Sequence, residues 1–213
     1  MQSPPPLQEW LRRPLRYWYV DGLTEMAVGA IFSLLALTEL VPGLLPPGPF
    51  KSLAQAILQP LVVIGGVLGA RPLVRFLKER ITYPRTGQVR YRQPGPYRRW
   101  LLGSLSFLVA LGTAFLVTRI GAAVGKRWLP MVSAFLIAFV TALGWQLHLV
   151  RMLILAIYIL GAGIGVSISA PADPLDAVLF FGLVGLGWLA SGGWTLWRYL
   201  RHTQPLDAVE DAG

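Results

Sequence analysis

The sequence predicts an all-α membrane protein, a bundle of six transmembrane helices with one basic cytoplasmic loop between the second and third. Three observations predict it. Of 213 residues, 54% are hydrophobic and only 14% charged, whereas soluble domains carry about 25% charged residues. The apolar residues fall into six runs near the length of a membrane span, roughly 20 residues for about 30 Å of hydrocarbon. The basic residues gather in alternate connections between those runs.

The whole chain reads as a single membrane domain. A cytoplasmic segment of residues 1–19 carries Arg12, Arg13 and Arg16 and leads into the first run, residues 20–41. A basic start before an apolar run also describes a signal peptide. This run is too long, lacks a small-residue cleavage site and opens with Asp21 and Glu25, so a retained first span is expected. It ends in the helix breakers PGLLPPGPF. The second run, 53–70, contains Pro60, expected to kink it, and the cytoplasmic loop occupies 71–99. The third run covers 101–117, the fourth 129–145, the fifth 152–167 and the sixth 175–197, before a cytoplasmic tail at 201–213. Residues 129–168 are nearly continuous, but one helix of that length would reach about 60 Å, twice the hydrocarbon thickness. The stretch GWQLHLVR therefore predicts a turn near 146–151.

Orientation follows from charge. With the N-terminus in the cytoplasm, only Lys51, Arg119, Lys126 and Arg127 of the nineteen Lys and Arg fall outside. That is a strong positive-inside bias, and it places both termini in the cytoplasm. Trp10, Trp18, Trp100, Trp145, Trp194 and Trp197 fall at the inner boundary and Trp128 at the outer one, the headgroup depths such rings prefer. Only Trp188 lies at mid-depth. The net charge of +9 thus follows topology, and the bilayer rather than nucleic acid is the expected partner.

Several chemistries are excluded. Without cysteine there is no disulfide, thiolate nucleophile or Cys-ligated metal. His148 and His202 are the only histidines and lie far apart in sequence, so no histidine metal cluster is expected. No Gly-x-Ser-x-Gly elbow or Walker-type phosphate loop occurs. The stretch DGLTEM resembles the opening of the CDP-alcohol phosphatidyltransferase motif. It lacks that motif's arginine, and the next acid after Glu25 is Glu39, so two-metal chemistry has no ligands. No catalytic residue, metal ligand or cofactor is assigned.

The polar groups at membrane depth are few. Asp21 and Glu25 stand one helical turn apart on one face. Asp21 sits where a helix dipole favours negative charge, and Glu25 lies about 6 Å deeper. Ionisable groups at depth have partners, and Arg71 or Arg75 at the end of the second span is the expected one; proton or ligand handling is the functional alternative. Gln55 and Gln59 are also one turn apart, either as hydrogen-bonding glue between helices or as a polar path. Small residues recur at four-residue spacing: Gly65 and Gly69, Ala134 and Ala138, Gly161 and Gly165, Gly187 and Ser191. They predict close helix packing and offer faces for a homo-oligomer. The glycine-dense GAGIGVSISAPADP predicts either flexible packing or an unwound outer end of the fifth span.

The loop carries its own signal. In KERITYPRTGQVRYRQPGPYRRW, residues 81–83 and 88–91 are rich in β-formers and flank Pro-Arg-Thr-Gly. Proline suits the first position of a hairpin loop and glycine a last position with a left-handed backbone. The expectation is a short β-hairpin with Arg85 at its tip. It is marginal alone, and so leans on the bundle or on residues 17–19. Arg85, Thr86, Gly87, Arg90 and Arg92 are the candidate binding residues, for a lipid phosphate or an acidic protein partner. The plain alternative is a loop that serves only as a topology signal.

Two stretches, RYWYVDGLTE before the first span and ERITYPRTGQVRYR after the second, carry a resemblance. Together the chain resembles a group of uncharacterised bacterial integral membrane proteins with Arg-Tyr-Trp-Tyr-x-Asp-Gly and Tyr-Pro-Arg-Thr-Gly at these relative places. The resemblance implies a bacterial inner-membrane protein and carries no activity. Two functional classes follow from the residues. One is a non-catalytic membrane protein whose basic loop docks a cytoplasmic protein or anionic headgroups. The other is a small-solute transporter, or a transporter subunit, with a path near Glu25, Gln55 and the glycine-rich end of the fifth span. The scarcity of polar groups at mid-depth favours the first. Reporter fusions at Gly48, Gly95 and the C-terminus test the topology: the first is expected outside and the other two in the cytoplasm, and an external C-terminus removes one of the six spans.

Overall fold

Five of the six apolar runs become helices among the described residues. The computed structural model describes residues 19–83, 112, 119, 125–147, 149–169 and 171–203. Among these residues are α1 (Leu23–Gly43), α2 (Pro49–Ile81), α3 (Leu129–Ala142), α4 (Val150–Ser169) and α5 (Leu175–His202). Short 3₁₀ turns at Lys126–Trp128 and Leu143–Leu147 extend α3. With that extension, all five are long and apolar enough to cross a membrane, and no strand occurs among the described residues. Large apolar side chains stay exposed on every one of them, including Leu37, Leu61, Phe139, Ile157 and Leu186. A helix that is apolar all round suits a lipid surround rather than water. The expected third span, 101–117, lies outside the described residues apart from Gly112, which is helical.

Packing turns on close backbone approach. α1 runs antiparallel to α5 in the most extensive helix contact among the described residues, with Gly22 and Gly29 facing Gly192 and Gly185. A Cβ on Gly29 would sit 2.7 Å from the Leu189 amide nitrogen, and one on Gly192 would sit 2.7 Å from the Gly22 carbonyl oxygen. Without a hydrophobic drive between helices in lipid, such van der Waals contact is what holds them. The repeat that matters is seven residues, not four. Of the four-residue pairs, Ala134 and Ala138 are buried and Gly187 packs on Tyr158, while Gly163, outside those pairs, packs on Pro130 and Ala134. Gly65, Gly69, Gly161 and Gly165 meet nothing within 4 Å among the described residues. The core lies between α3, α4 and α5, built from Ala134, Ala138, Leu155, Ile159, Phe180, Val184 and the mid-depth Trp188.

Two expectations change. α2 has 33 residues, about 50 Å, and runs through both Pro60 and Pro72. Arg71, Arg75, Lys78 and Arg80 are therefore helical rather than part of a loop. Residues 81–83 do not form the first strand of a hairpin. Ile81 ends α2 and the Thr82 amide still donates to the Lys78 carbonyl, at 2.9 Å, in αR geometry. Tertiary contacts at Thr82 override its β-propensity. The rest of the expected hairpin, with Arg85, Thr86, Gly87, Arg90 and Arg92, lies outside the described residues, as does Tyr17. Of the two readings of the glycine-rich stretch, packing rather than unwinding holds as far as Ser169, where α4 is still helical. The expected break between the fourth and fifth runs is present at 143–149, where Gly144 lets Met152 approach.

Filling the glycine contact should be costly. Gly185→Leu is expected to destabilise the protein in detergent by about 1–3 kcal/mol or more through overpacking, read as a fall in thermal midpoint. Gly161→Leu, on an open face, should leave the midpoint near wild type.

Candidate functional site: a buried charge network

At the end of the bundle where α1 begins, α2 and α5 finish and α4 starts, four charges meet. Asp21 and Glu25 are fully buried, at 0% exposure, and Lys78 at 1%. Asp21 precedes α1, and its position depends on Gly22. That residue takes a left-handed φ of 73° and lies against the Gly192 carbonyl. Any side chain there would clash and be strained.

Each oxygen of Asp21 is engaged. Oδ1 accepts the Leu23 amide at 3.2 Å, next to the positive end of α1. Oδ2 pairs with Lys78 Nζ at 2.8 Å and accepts the Thr82 hydroxyl at 2.8 Å. Tyr199 of α5 closes this layer by donating to the Thr82 carbonyl at 3.4 Å. The second layer lies one turn deeper. Glu25 Oε1 is 2.8 Å from Arg151 Nη2, and Oε2 accepts the Ser191 hydroxyl at 2.6 Å. The same Arg151 nitrogen donates to the Tyr19 carbonyl. Glu25 Oε1 and Arg151 Nε have no hydrogen-bond partner of their own among the described residues and keep that capacity unused. Burial, and then the nearby carboxylate of Glu25, push the Tyr19 phenol above its ordinary range.

Two acids face two bases, so the cluster is neutral as a whole. That balance matters because an uncompensated ion away from water costs several kcal/mol. It also corrects the expected pairing: Glu25 pairs with Arg151, not with Arg71 or Arg75. The reason is the phase of α2. Val74, Lys78 and Thr82 form its buried stripe, whereas Arg71 and Arg75 fall on the exposed side. Arg75 is taken up locally by Glu79, at 3.1 Å and one turn away. Gln59 is exposed on α2 and Gln55 lies in the same helix, far along the chain from the charges. At the opposite end, Arg127 donates to the Ser167 and Ile168 carbonyls at 3.1 Å each and closes the end of α4.

Lys78, Thr82, Arg151, Ser191 and Tyr199 were not expected as site residues. Arg151 did leave a signal, being a lone charge between two apolar runs and so in need of a buried acid. Lys78 left none, because the apolar pattern of α2 is too uniform to reveal its phase. Among the described residues, no group of three His, Cys, Asp or Glu could hold a metal ion. No family model, curated protein or solved structure matches the chain.

Residues from RYWYVDGLTE and ERITYPRTGQVRYR meet here, Asp21 from one and Thr82 from the other. The Asp21–Lys78 pair should therefore show strong coupling. Lys78→Met alone strands a buried carboxylate and should cost about 3–5 kcal/mol. Adding Asp21→Asn should recover part of that loss, giving a coupling of about 0.5–3 kcal/mol in a thermal or denaturant double-mutant cycle.

Proposed function

We propose that this chain is a non-catalytic, multi-pass protein of a bacterial inner membrane, with both termini cytoplasmic. Its basic segment, centred on Arg85, Thr86, Gly87, Arg90 and Arg92, docks a cytoplasmic protein or anionic headgroups. The observation that carries this reading is the double hold of Asp21 on Lys78 and Thr82. Thr82 stands two residues before Pro84, so the point from which the basic segment departs is fixed to the bundle rather than free. A segment held at its root presents its arginines with less ordering entropy to lose on binding. The positive-inside bias supports the orientation.

The transporter reading has one observation on its side, the unused hydrogen-bonding capacity of Glu25 Oε1 and Arg151 Nε. Against it stands the charge compensation of Glu25, together with the polar-poor middle of the described helices.

Binding of the purified protein to anionic vesicles, and capture of a cytoplasmic partner by crosslinking, test the docking reading. Arg85→Ala is expected to weaken one of the two, and Arg85→Lys to restore it only in part, because lysine lacks the planar donor fork. Unchanged binding in a stable Arg85→Ala protein would leave the segment as a topology signal. A Glu25→Gln protein of wild-type stability that loses a measurable solute flux would favour transport instead.

A further inference from the structure

An arginine at the end of a membrane helix ordinarily extends its head into water. In α5 it folds back. The Arg201 guanidinium lies 4.0 Å from the centroid of Trp197, one turn earlier. Trp197 in turn contacts Trp194, with centroids 4.9 Å apart and ring planes at 33°. Trp194 is 64% exposed and Trp197 44%, and Arg198 and Arg201 are exposed beside them. This face points away from Gly192, Thr195 and Tyr199, which are buried. Its level along α5 matches the charge network, since Ser191 and Tyr199 reach Glu25 and Thr82 from the other side of the same turns. Towards the other end of α5 the stripe continues as exposed Ala190 and Leu186.

Among the described residues, neither Arg198 nor Arg201 has an ion-pair or hydrogen-bond partner. Arg127 is the contrast. It too lies beside a tryptophan, Trp128, at 5.6 Å, but its donors are occupied by the carbonyls that end α4. Without a hydrogen-bond partner among the described residues, Arg201 keeps its donor fork available, and that fork matches phosphate oxygens. Indole rings favour headgroup depth, where lipid phosphates lie. Arg80, 4.6 Å over Phe76 at the finishing end of α2, repeats the folded-back arrangement at the same end of the bundle.

We propose that Trp194, Trp197, Arg198 and Arg201 form a binding site for an anionic phospholipid of the surrounding bilayer. The two arginines hold the headgroup phosphate. The two indoles lie against the glycerol region, and an acyl chain follows Ala190 and Leu186. Two cations within one turn favour a lipid of net negative charge over a zwitterionic one. The site rests on the membrane reading and is independent of the basic segment around Arg85.

Native mass spectrometry of the full chain, purified in detergent with an equimolar mixture of phosphatidylglycerol and phosphatidylcholine, tests it. Wild type should retain phosphatidylglycerol preferentially. The Arg198→Gln/Arg201→Gln variant should retain about ten-fold less of it, with phosphatidylcholine unchanged. Trp197→Ala, with both arginines intact, should weaken retention as the guanidinium loses its support. These side chains are exposed, so thermal midpoints should stay near wild type. Equal retention of the two lipids by wild type, or unaltered phosphatidylglycerol in the double variant, overturns the site. A loss seen with Arg85→Ala but with neither α5 variant also overturns it, by moving the lipid to the basic segment.

Discussion

Four helices of this bundle meet through the neutralisation of two buried carboxylates. Asp21 and Glu25 enter at the start of α1, where water is excluded, and each needs a cation delivered from another helix. Lys78 comes from α2 and Arg151 from α4, while Ser191 and Tyr199 of α5 complete the hydrogen bonding. Because a stranded partner is far more costly than the pair is stabilising, this arrangement specifies register more than it adds stability. A one-turn slip of α2 or α4 would leave a buried charge unmatched.

The glycine contact between α1 and α5 makes that geometry possible. Ser191 reaches Glu25 only because Gly22 and Gly29 let α5 come within backbone contact of α1, through Gly185 and Gly192. Packing and electrostatics are thus coupled at one end. At the other end the arrangement is simpler, with Arg127 closing the last carbonyls of α4. Three threonine hydroxyls along the spans are satisfied within their own helices, Thr38 by Leu35, Thr141 by Ile137 and Thr195 by Ser191. Such back-bonding lets polar side chains sit in an apolar surround.

The network and the tryptophan face of α5 share one level of the bundle. One side of the final turns of α5 meets buried charge and the other presents indoles and unengaged arginines. The root of the basic segment is fixed at the same level through Thr82. The proposed lipid site therefore shares the level of the cluster around Asp21 and Glu25.

The sequence by itself determined the helical class, five of the apolar runs as helices, and the break between the fourth and fifth. These depend on hydrophobic content and length, which are local properties. It also marked Asp21 and Glu25, since carboxylates are rare in such runs and stand out without any knowledge of contacts. Only the tertiary structure decided their partners, and it chose Lys78 and Arg151 over Arg71 and Arg75. A helix that is apolar on every face carries no moment to reveal its rotation, so which arginine or lysine turns inward is set by the neighbour it meets. The same holds for Gly22, Gly29, Gly185 and Gly192. Their seven-residue spacing was visible in the chain, but their function as a contact arises only when α1 and α5 lie antiparallel. Thr82 shows the limit most directly: a β-former by propensity, it stays in the helical region because Asp21 accepts its hydroxyl from sixty-one residues away.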